Sequence, residues 1–334
     1  MNIQNQKTNQ YILLTGHRKS GTTMLHSLFD GHPELVIYPV DIGLLYQFFP
    51  CFIKDNPPDK FDARIRTVLD QTTNAIKGKR ISKSVDCFSS EDFCNILLEM
   101  FDATTLTQPH LIIDAIATAW FEYAGLDNNK PLLMKETSIS IHLKDILSHL
   151  PNTQFLQIVR DPRDNFAAIK AGSKKYYQHI GEELHTSLSS LLLRARMDLM
   201  LALEYQKTFP ENFMAIRFED LTASPGDIIP KCCDFLNIHF EESLLTPTFL
   251  LEPFYGNNYD DKKFTGISDK HTGLWRDRIT EFEACVIEFW LQNECSSWGY
   301  KNHYDIEKSI MHFNKYYSKV NCDTYYFDRF KHGL

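Results

Sequence analysis

Residues 16–23 read Gly-His-Arg-Lys-Ser-Gly-Thr-Thr and directly follow a short apolar run, Tyr11-Ile-Leu-Leu-Thr15. A run of this kind suits a strand buried on both faces, and the turn after it reads as a phosphate cradle. Gly16 and Gly21 permit a tight turn, the amides that follow point at an anion, and a helix opening at Thr22 adds its positive end. In a nucleoside-triphosphate loop, G-x-x-x-x-G-K-[ST], the lysine follows the second glycine and reaches the outer phosphates. Here Thr22 holds that place and Lys19 stands two residues before Gly21, so the cation approaches the anion from another side. A P-loop kinase of a small metabolite, the alternative enzyme class, needs the missing lysine and an Asp for magnesium.

Further apolar runs at 36–38, 131–134, 154–159 and 213–218 alternate with helical patterns. That rhythm predicts an α/β fold, a central parallel sheet flanked by helices, in one domain over 11–300. Residues 1–10 are polar and read as a flexible N-terminus. Residues 42–130 lack a strand rhythm and carry a Pro57-Pro58 break, which predicts a helical insertion where acceptor specificity would reside. In the segment 188–209, Leu192, Ala195, Leu199, Ala202 and Leu203 recur at core spacing, a structural stripe. Residues 252–275 are rich in Gly, Asn, Asp and Lys with interspersed aromatics, and read as a mobile loop. A helix is expected at 281–290, and the aromatic tail over 301–334 is expected to pack on the body or on a partner, such as a second subunit.

A hydrophobic fraction of 43% supplies a sizeable core and excludes global disorder. The net charge of −8 argues against nucleic-acid binding, so an anionic ligand has to be held by a local basic pocket. The first ten residues lack a signal-peptide core, and no apolar run approaches membrane-helix length, so a soluble, cytoplasmic protein is expected. The eight cysteines include the adjacent pair Cys232 and Cys233 but no zinc spacing, and read as reduced, mostly buried thiols. His17, His26 and His32 lack metal-ligand spacing and read as packing or surface groups, so no metal is expected.

The segment Lys19-Ser20-Gly21-Thr22-Thr23 and the strand end Phe155-Leu-Gln-Ile-Val-Arg160-Asp-Pro-Arg163-Asp164, in this order, resemble the sulfotransferases that use 3′-phosphoadenosine 5′-phosphosulfate. The resemblance implies their P-loop-like fold and transfer of a sulfuryl group to an acceptor hydroxyl or amine. It implies that Lys19 neutralises charge near the bridging oxygen, that the loop amides with Thr22 and Thr23 hold the 5′-phosphate, and that Arg160 binds the 3′-phosphate. Ser20 belongs to the same implied cofactor-binding loop, and Arg18 is either a further anion contact or a surface group. The blander reading of Arg160 is an ion pair with Asp161 or Asp164. Ala168 stands where the family commonly has a serine ligand, leaving Ser173 or another group to substitute.

Gly273-Leu-Trp275-Arg276 is similar to a G-x-W-[RK] segment of bacterial members; Lys270 and Arg276 are implied to complete the 3′-phosphate site, with Trp275 packing or lining the nucleotide pocket. Arg217-Phe218-Glu-Asp-Leu221 resembles a Y-E-D-L strand end, with Phe218 in place of an adenine-contacting tyrosine. Lys135-Glu136-Thr137 departs from the family's K-T-H segment in lacking the histidine base. Asp41 is the expected general base, with Glu136 and His142 as alternatives, and Lys135 bridges to the sulfate or pairs with Asp41. A small-molecule acceptor such as a natural product suits an acidic chain better than a polyanionic glycan. A protein tyrosine or saccharide acceptor and a homodimer stay open.

Overall fold

The run Tyr11–Thr15 forms β1, the middle strand of a five-stranded parallel sheet, and each of its side chains is buried. The computed structural model describes residues 10–43, 90–100, 108–173, 184–256 and 266–320. The remaining strands are β2 (Val36–Asp41), β3 (Leu132–Lys135), β4 (Gln154–Val159) and β5 (Phe213–Arg217), in the order β2-β3-β1-β4-β5. In register, Leu13 faces Met134 on one side and Phe155 on the other. Side chains alternate across the sheet, as the two-residue strand period requires. Tyr11 and Leu13 join one core cluster, and Ile12 and Leu14 join the other.

Helices cover both faces. The chain runs through α1 (Thr22–Phe29), α2 (Ser90–Met100), α3 (Pro109–Ala124), α4 (Leu143–His149), α5 (Pro162–Gly172) and α6 (Leu184–Thr208). It continues through α7 (Phe218–Ala223), α8 (Pro225–Leu236), α9 (Trp275–Arg278), α10 (Glu281–Trp290), α11 (Gln292–Ser297) and α12 (Ile306–Val320). Ile112 and Ile116 of α3 pack on the Leu13 face, and Leu25 and Leu28 of α1 with Ile229 of α8 pack on the Leu14 face. Two short strands, β6 (Thr248–Phe249) and β7 (Glu252–Pro253), form a separate antiparallel pair.

Of the expected helical insertion, α2 and α3 are described and helical, while 44–89 and 101–107 lie outside the described residues. The expected N-terminus over 1–9, residues 257–265 of the 252–275 loop, and 321–334 of the tail also lie outside them. Within the tail, α12 lays Phe313 against Phe289 and Trp290 of α10. Cys232, Cys233, Cys285 and Cys295 are free and buried. Among the described residues, no helix is long and apolar enough to cross a membrane.

The strand order decides where a ligand goes. From β1 the chain passes through α1 to β2 on one edge, and from β4 it passes towards β5 on the other. Adjacent strands whose connections diverge leave a crevice at their carboxyl ends, the usual ligand position in open α/β sheets. The 16–23 loop follows β1 and Arg160 follows β4, so both conspicuous sequence segments open onto that crevice.

Candidate active site

The loop after β1 is forced into shape by close packing. Gly16 has φ 148°, and a Cβ there would lie 2.3 Å from the Ile158 carbonyl oxygen. Gly21 has φ 106°, and its Cβ would lie 2.5 Å from the Phe218 ring. Lys19 adopts φ 66°, a left-handed conformation that a side chain tolerates only when its surroundings enforce it.

Those surroundings are donors to the loop's carbonyls. Gly16 O accepts from Ser138 N (3.0 Å), and His17 O accepts from Ser20 N (3.0 Å). Arg18 O accepts from Asn165 Nδ2 (2.9 Å) and Lys19 O accepts from Arg160 Nη1 (2.8 Å). The first turn of α1 has no side-chain cap and no acidic residue. With its carbonyls engaged, the loop and the helix start offer an uncapped set of N–H groups, the arrangement that binds phosphate.

Cations converge on the same corner. Burial, with Lys135 and Arg18 nearby, pulls the Lys19 ammonium down to about 8. Lys135 is only 4% exposed; its Nζ lies 2.8 Å from Asp41 Oδ1 and donates to Thr23 Oγ1 at 3.2 Å. Asp41, at the end of β2, keeps half of its side chain in solvent and interacts electrostatically with Lys19. The buried Arg160 guanidinium donates from Nη2 to His271 O as well, and stacks 4.4 Å from the Phe218 ring centre. Its bonds thus go to two carbonyls, while Asp161 pairs with Arg163 at 2.6 Å. Phe218 is buried beneath Gly21 and Arg160.

The two other base candidates are placed differently. Glu136 is fully buried, accepting from the amides of Gly43 and Thr137; burial and the nearby Asp41 push its carboxyl up to about 8. His142 precedes α4, and burial pulls its imidazole down to about 4.

The 273–276 segment is fixed by Asp164, whose carboxylate accepts from Gly273 N (2.7 Å) and Trp275 N (2.9 Å). Trp275 is buried, with the guanidinium groups of Arg163 (4.3 Å) and Arg276 (4.7 Å) over its ring. Lys270 and Arg276 are exposed, and Lys270 adjoins the His271 whose carbonyl meets Arg160. Ala168 lies within α5, and the Ser173 hydroxyl donates to Lys170 O.

The sequence model of the sulfotransferase family matches residues 11–242. The chain belongs to this family. Among solved structures, this sulfotransferase-family chain is similar to the sulfotransferase domain from the curacin biosynthetic pathway, with 18% identity, a TM-score of 0.53, and coverage of 87% of this chain and 98% of that one. It is also similar to the sulfotransferase domain of the Synechococcus PCC 7002 olefin synthase, with 16% identity, a TM-score of 0.51, and coverage of 89% and 97%. At these identities the likeness establishes the shared P-loop-like fold. No curated protein matches the sulfotransferase-family chain by sequence.

Sequence reasoning missed the residues that tie the loop carbonyls, Ser138 and Asn165, and also His271. Asn165 carried a signal, since it is a polar residue in the first turn of the helix after Arg160. Ser138 and His271 act through backbone atoms, which the residue type does not announce.

Proposed function

We propose that this chain transfers a sulfuryl group from 3′-phosphoadenosine 5′-phosphosulfate to a hydroxyl or amine of a small-molecule acceptor. The observation that carries the reading is the convergence of Lys19, Lys135 and Asp41 on an uncapped phosphate loop. On this reading the loop amides with the Thr22 and Thr23 hydroxyls hold one anionic group of the phosphosulfate, and Arg160 with Lys270 and Arg276 supplies charge for a second. Phe218 and Trp275 support the nucleotide site as packing groups under Arg160 and Arg276.

In the transfer, an S–O or S–N bond to the acceptor forms while the bond from sulfur to the bridging phosphate oxygen breaks, and that electron pair leaves with the bisphosphate. Lys19 neutralises charge on the departing oxygen, Lys135 positions the anion and holds Asp41, and Asp41 accepts the acceptor's proton. An acidic chain with a local basic corner favours a neutral or cationic small acceptor, with natural products a fitting class.

Calorimetric titration with 3′-phosphoadenosine 5′-phosphate, beside AMP and ATP with magnesium, tests the donor. Tight binding of the bisphosphate that collapses for AMP supports the reading; binding of magnesium ATP without the bisphosphate overturns it. Screening hydroxyl and amine acceptors with the sulfate donor then identifies the second substrate.

A further inference from the structure

Next to the phosphate loop, His17, Gln157, Asn165 and Asp198 border a small cavity with room for one water. His17, Gln157 and Asp198 are all more than nine-tenths buried, and three of their atoms have no hydrogen-bond partner: His17 Nε2, Gln157 Oε1 and Asp198 Oδ1. Buried polar atoms left this way are costly and call for a ligand.

The neighbours fix what each atom offers. Gln157 Nε2 donates to Asp198 O at 3.0 Å, so Oε1 is an acceptor. His17 Nδ1 lies 2.8 Å from the Arg18 carbonyl, which only accepts, and 3.2 Å from Asn165 Nδ2; the shorter contact places the proton on Nδ1, and Nε2 presents its lone pair. Asp198 Oδ2 accepts from Ser138 Oγ at 2.7 Å. The Ser140 hydroxyl comes near enough to Asp198 to favour its anion, yet lacks hydrogen-bond geometry and is itself unpartnered. Three unpartnered acceptors therefore belong to residues that line one small space, and a single water supplies only two protons. One more proton completes the set: a protonated Asp198 Oδ1 donates to the water, which donates to Gln157 Oε1 and His17 Nε2.

We infer that Asp198, His17 and Gln157 enclose one water and one ionisable proton, forming a proton-holding site coupled to the phosphate loop. The coupling is short: His17 belongs to the loop, and Ser138, whose hydroxyl donates to Asp198, donates its backbone N–H to Gly16 O. Burial pushes the Asp198 carboxyl up to about 6, whereas burial with Arg194 and Arg18 holds His17 well below its ordinary range. Of the two groups, Asp198 is therefore the one that takes up the proton as pH falls towards 6. The charged groups facing the cluster are Arg194 from α6, Arg18 from the loop and Arg160 after β4; the polar neighbours are Asn165 from α5 and Ser138 and Ser140 after β3. An anion on the loop opposes those cations and raises the carboxyl further, so binding takes up a proton and strengthens as pH falls.

The site itself is tested on the wild-type protein by a high-resolution crystal structure at about pH 6 and by the infrared band of a protonated buried carboxyl. An ordered water bonded to the three atoms, with a band that Asp198→Asn removes, supports the inference. A cavity without water, Ser140 Oγ bonded to Oδ1, or no such band overturns it. Asp198→Asn keeps an acceptor for Ser138 and turns an N–H into the cavity, so it mimics the protonated acid.

The coupling rests on the nucleotide reading above and is tested with 3′-phosphoadenosine 5′-phosphate. Wild-type affinity is expected to rise between pH 8 and pH 6 by up to about tenfold more than that of Asp198→Asn. Lys19 and the ligand's own phosphates titrate alike in both proteins, so equal pH profiles overturn the coupling. If the bisphosphate binds neither protein, the donor assignment fails while the crystal and infrared results still decide the site.

Discussion

Lys135 Nζ lies 2.8 Å from Asp41 Oδ1 while donating to Thr23 Oγ1, so one buried ammonium joins the end of β2 to the first turn of α1. Removing the charge releases a carboxylate that is already half in solvent, so little stability is lost. The anion site loses a cation at close range. Lys135→Met is expected to lower kcat by at least about a hundredfold, with a smaller loss of bisphosphate affinity. Steady-state kinetics beside calorimetry separates the two effects.

Arg160 serves the fold and, on the proposed function, the ligand as well. Its guanidinium bonds the carbonyls of Lys19 and His271 and stacks on Phe218. Arg160→Ala leaves both carbonyls short of a donor at about 1–3 kcal/mol each. Bisphosphate affinity is expected to fall at least about tenfold. Arg160→Lys does not restore it, because a single ammonium cannot span the two carbonyls. Melting temperature and calorimetric Kd, measured on both variants, check this.

Much of this arrangement was legible beforehand, and the reason is local. β1, β4 and α10 carry their own signals: uninterrupted apolar runs for the buried strands, and the Thr280 to Glu283 capping box ahead of the apolar stripe of α10. The parallel sheet followed from the same runs. The order β2-β3-β1-β4-β5 did not, because strand order depends on how helices pack across the sheet. β2 runs on past Tyr38 to Asp41 because Asp41, beyond a register shift after Ile37, pairs with Lys135 of β3, a partner nearly 100 positions distant. At the site, Lys19 and Arg160 were visible as motif cations. That the Lys19 carbonyl is what Arg160 grips was not visible, since backbone atoms leave no mark on residue type.

The loop glycines are required by space as well as by φ. At Gly16 a Cβ would meet the backbone oxygen of Ile158 in β4 at 2.3 Å, whereas at Gly21 it would meet the side-chain ring of Phe218 at 2.5 Å. Gly16→Ala is therefore expected to cost at least about 2 kcal/mol and to cost more than Gly21→Ala. Urea denaturation of the two variants ranks them. Gly21→Ala is expected to lose bisphosphate binding despite the milder unfolding, because Gly21 opens α1 beneath the anion.

Lys19 is held in tension with stability. Its ammonium is pulled down to about 8, below the ordinary lysine value, so the folded chain binds fewer protons than the unfolded chain between about pH 8 and 10. Stability from this group therefore rises with pH across that window, and the full cost of burying the charge is present below it. Lys19→Met is expected to melt a few degrees higher than wild type at pH 7, with the gap closing by about pH 10. Bound bisphosphate is expected to stabilise the wild type more than the variant, since an anion repays the charge. Melting curves at both pH values, with and without the ligand, read all three.

Asp41 and Glu136 are separated by what each substitution leaves behind. Asp41 is half exposed, and an asparagine still offers Lys135 an oxygen, so Asp41→Asn is expected to fold and bind bisphosphate within about threefold of wild type. As the proton acceptor it is expected to lose about 10²–10⁴ in kcat. Glu136 is buried with an amide donor on each oxygen, so in Glu136→Gln the new NH₂ group must face an N–H. That variant is expected to lose about 1–3 kcal/mol of stability with a smaller change in kcat. If Glu136→Gln abolishes turnover while binding bisphosphate normally, and Asp41→Asn turns over at the wild-type rate, the proton goes to Glu136 and the assignment of Asp41 fails.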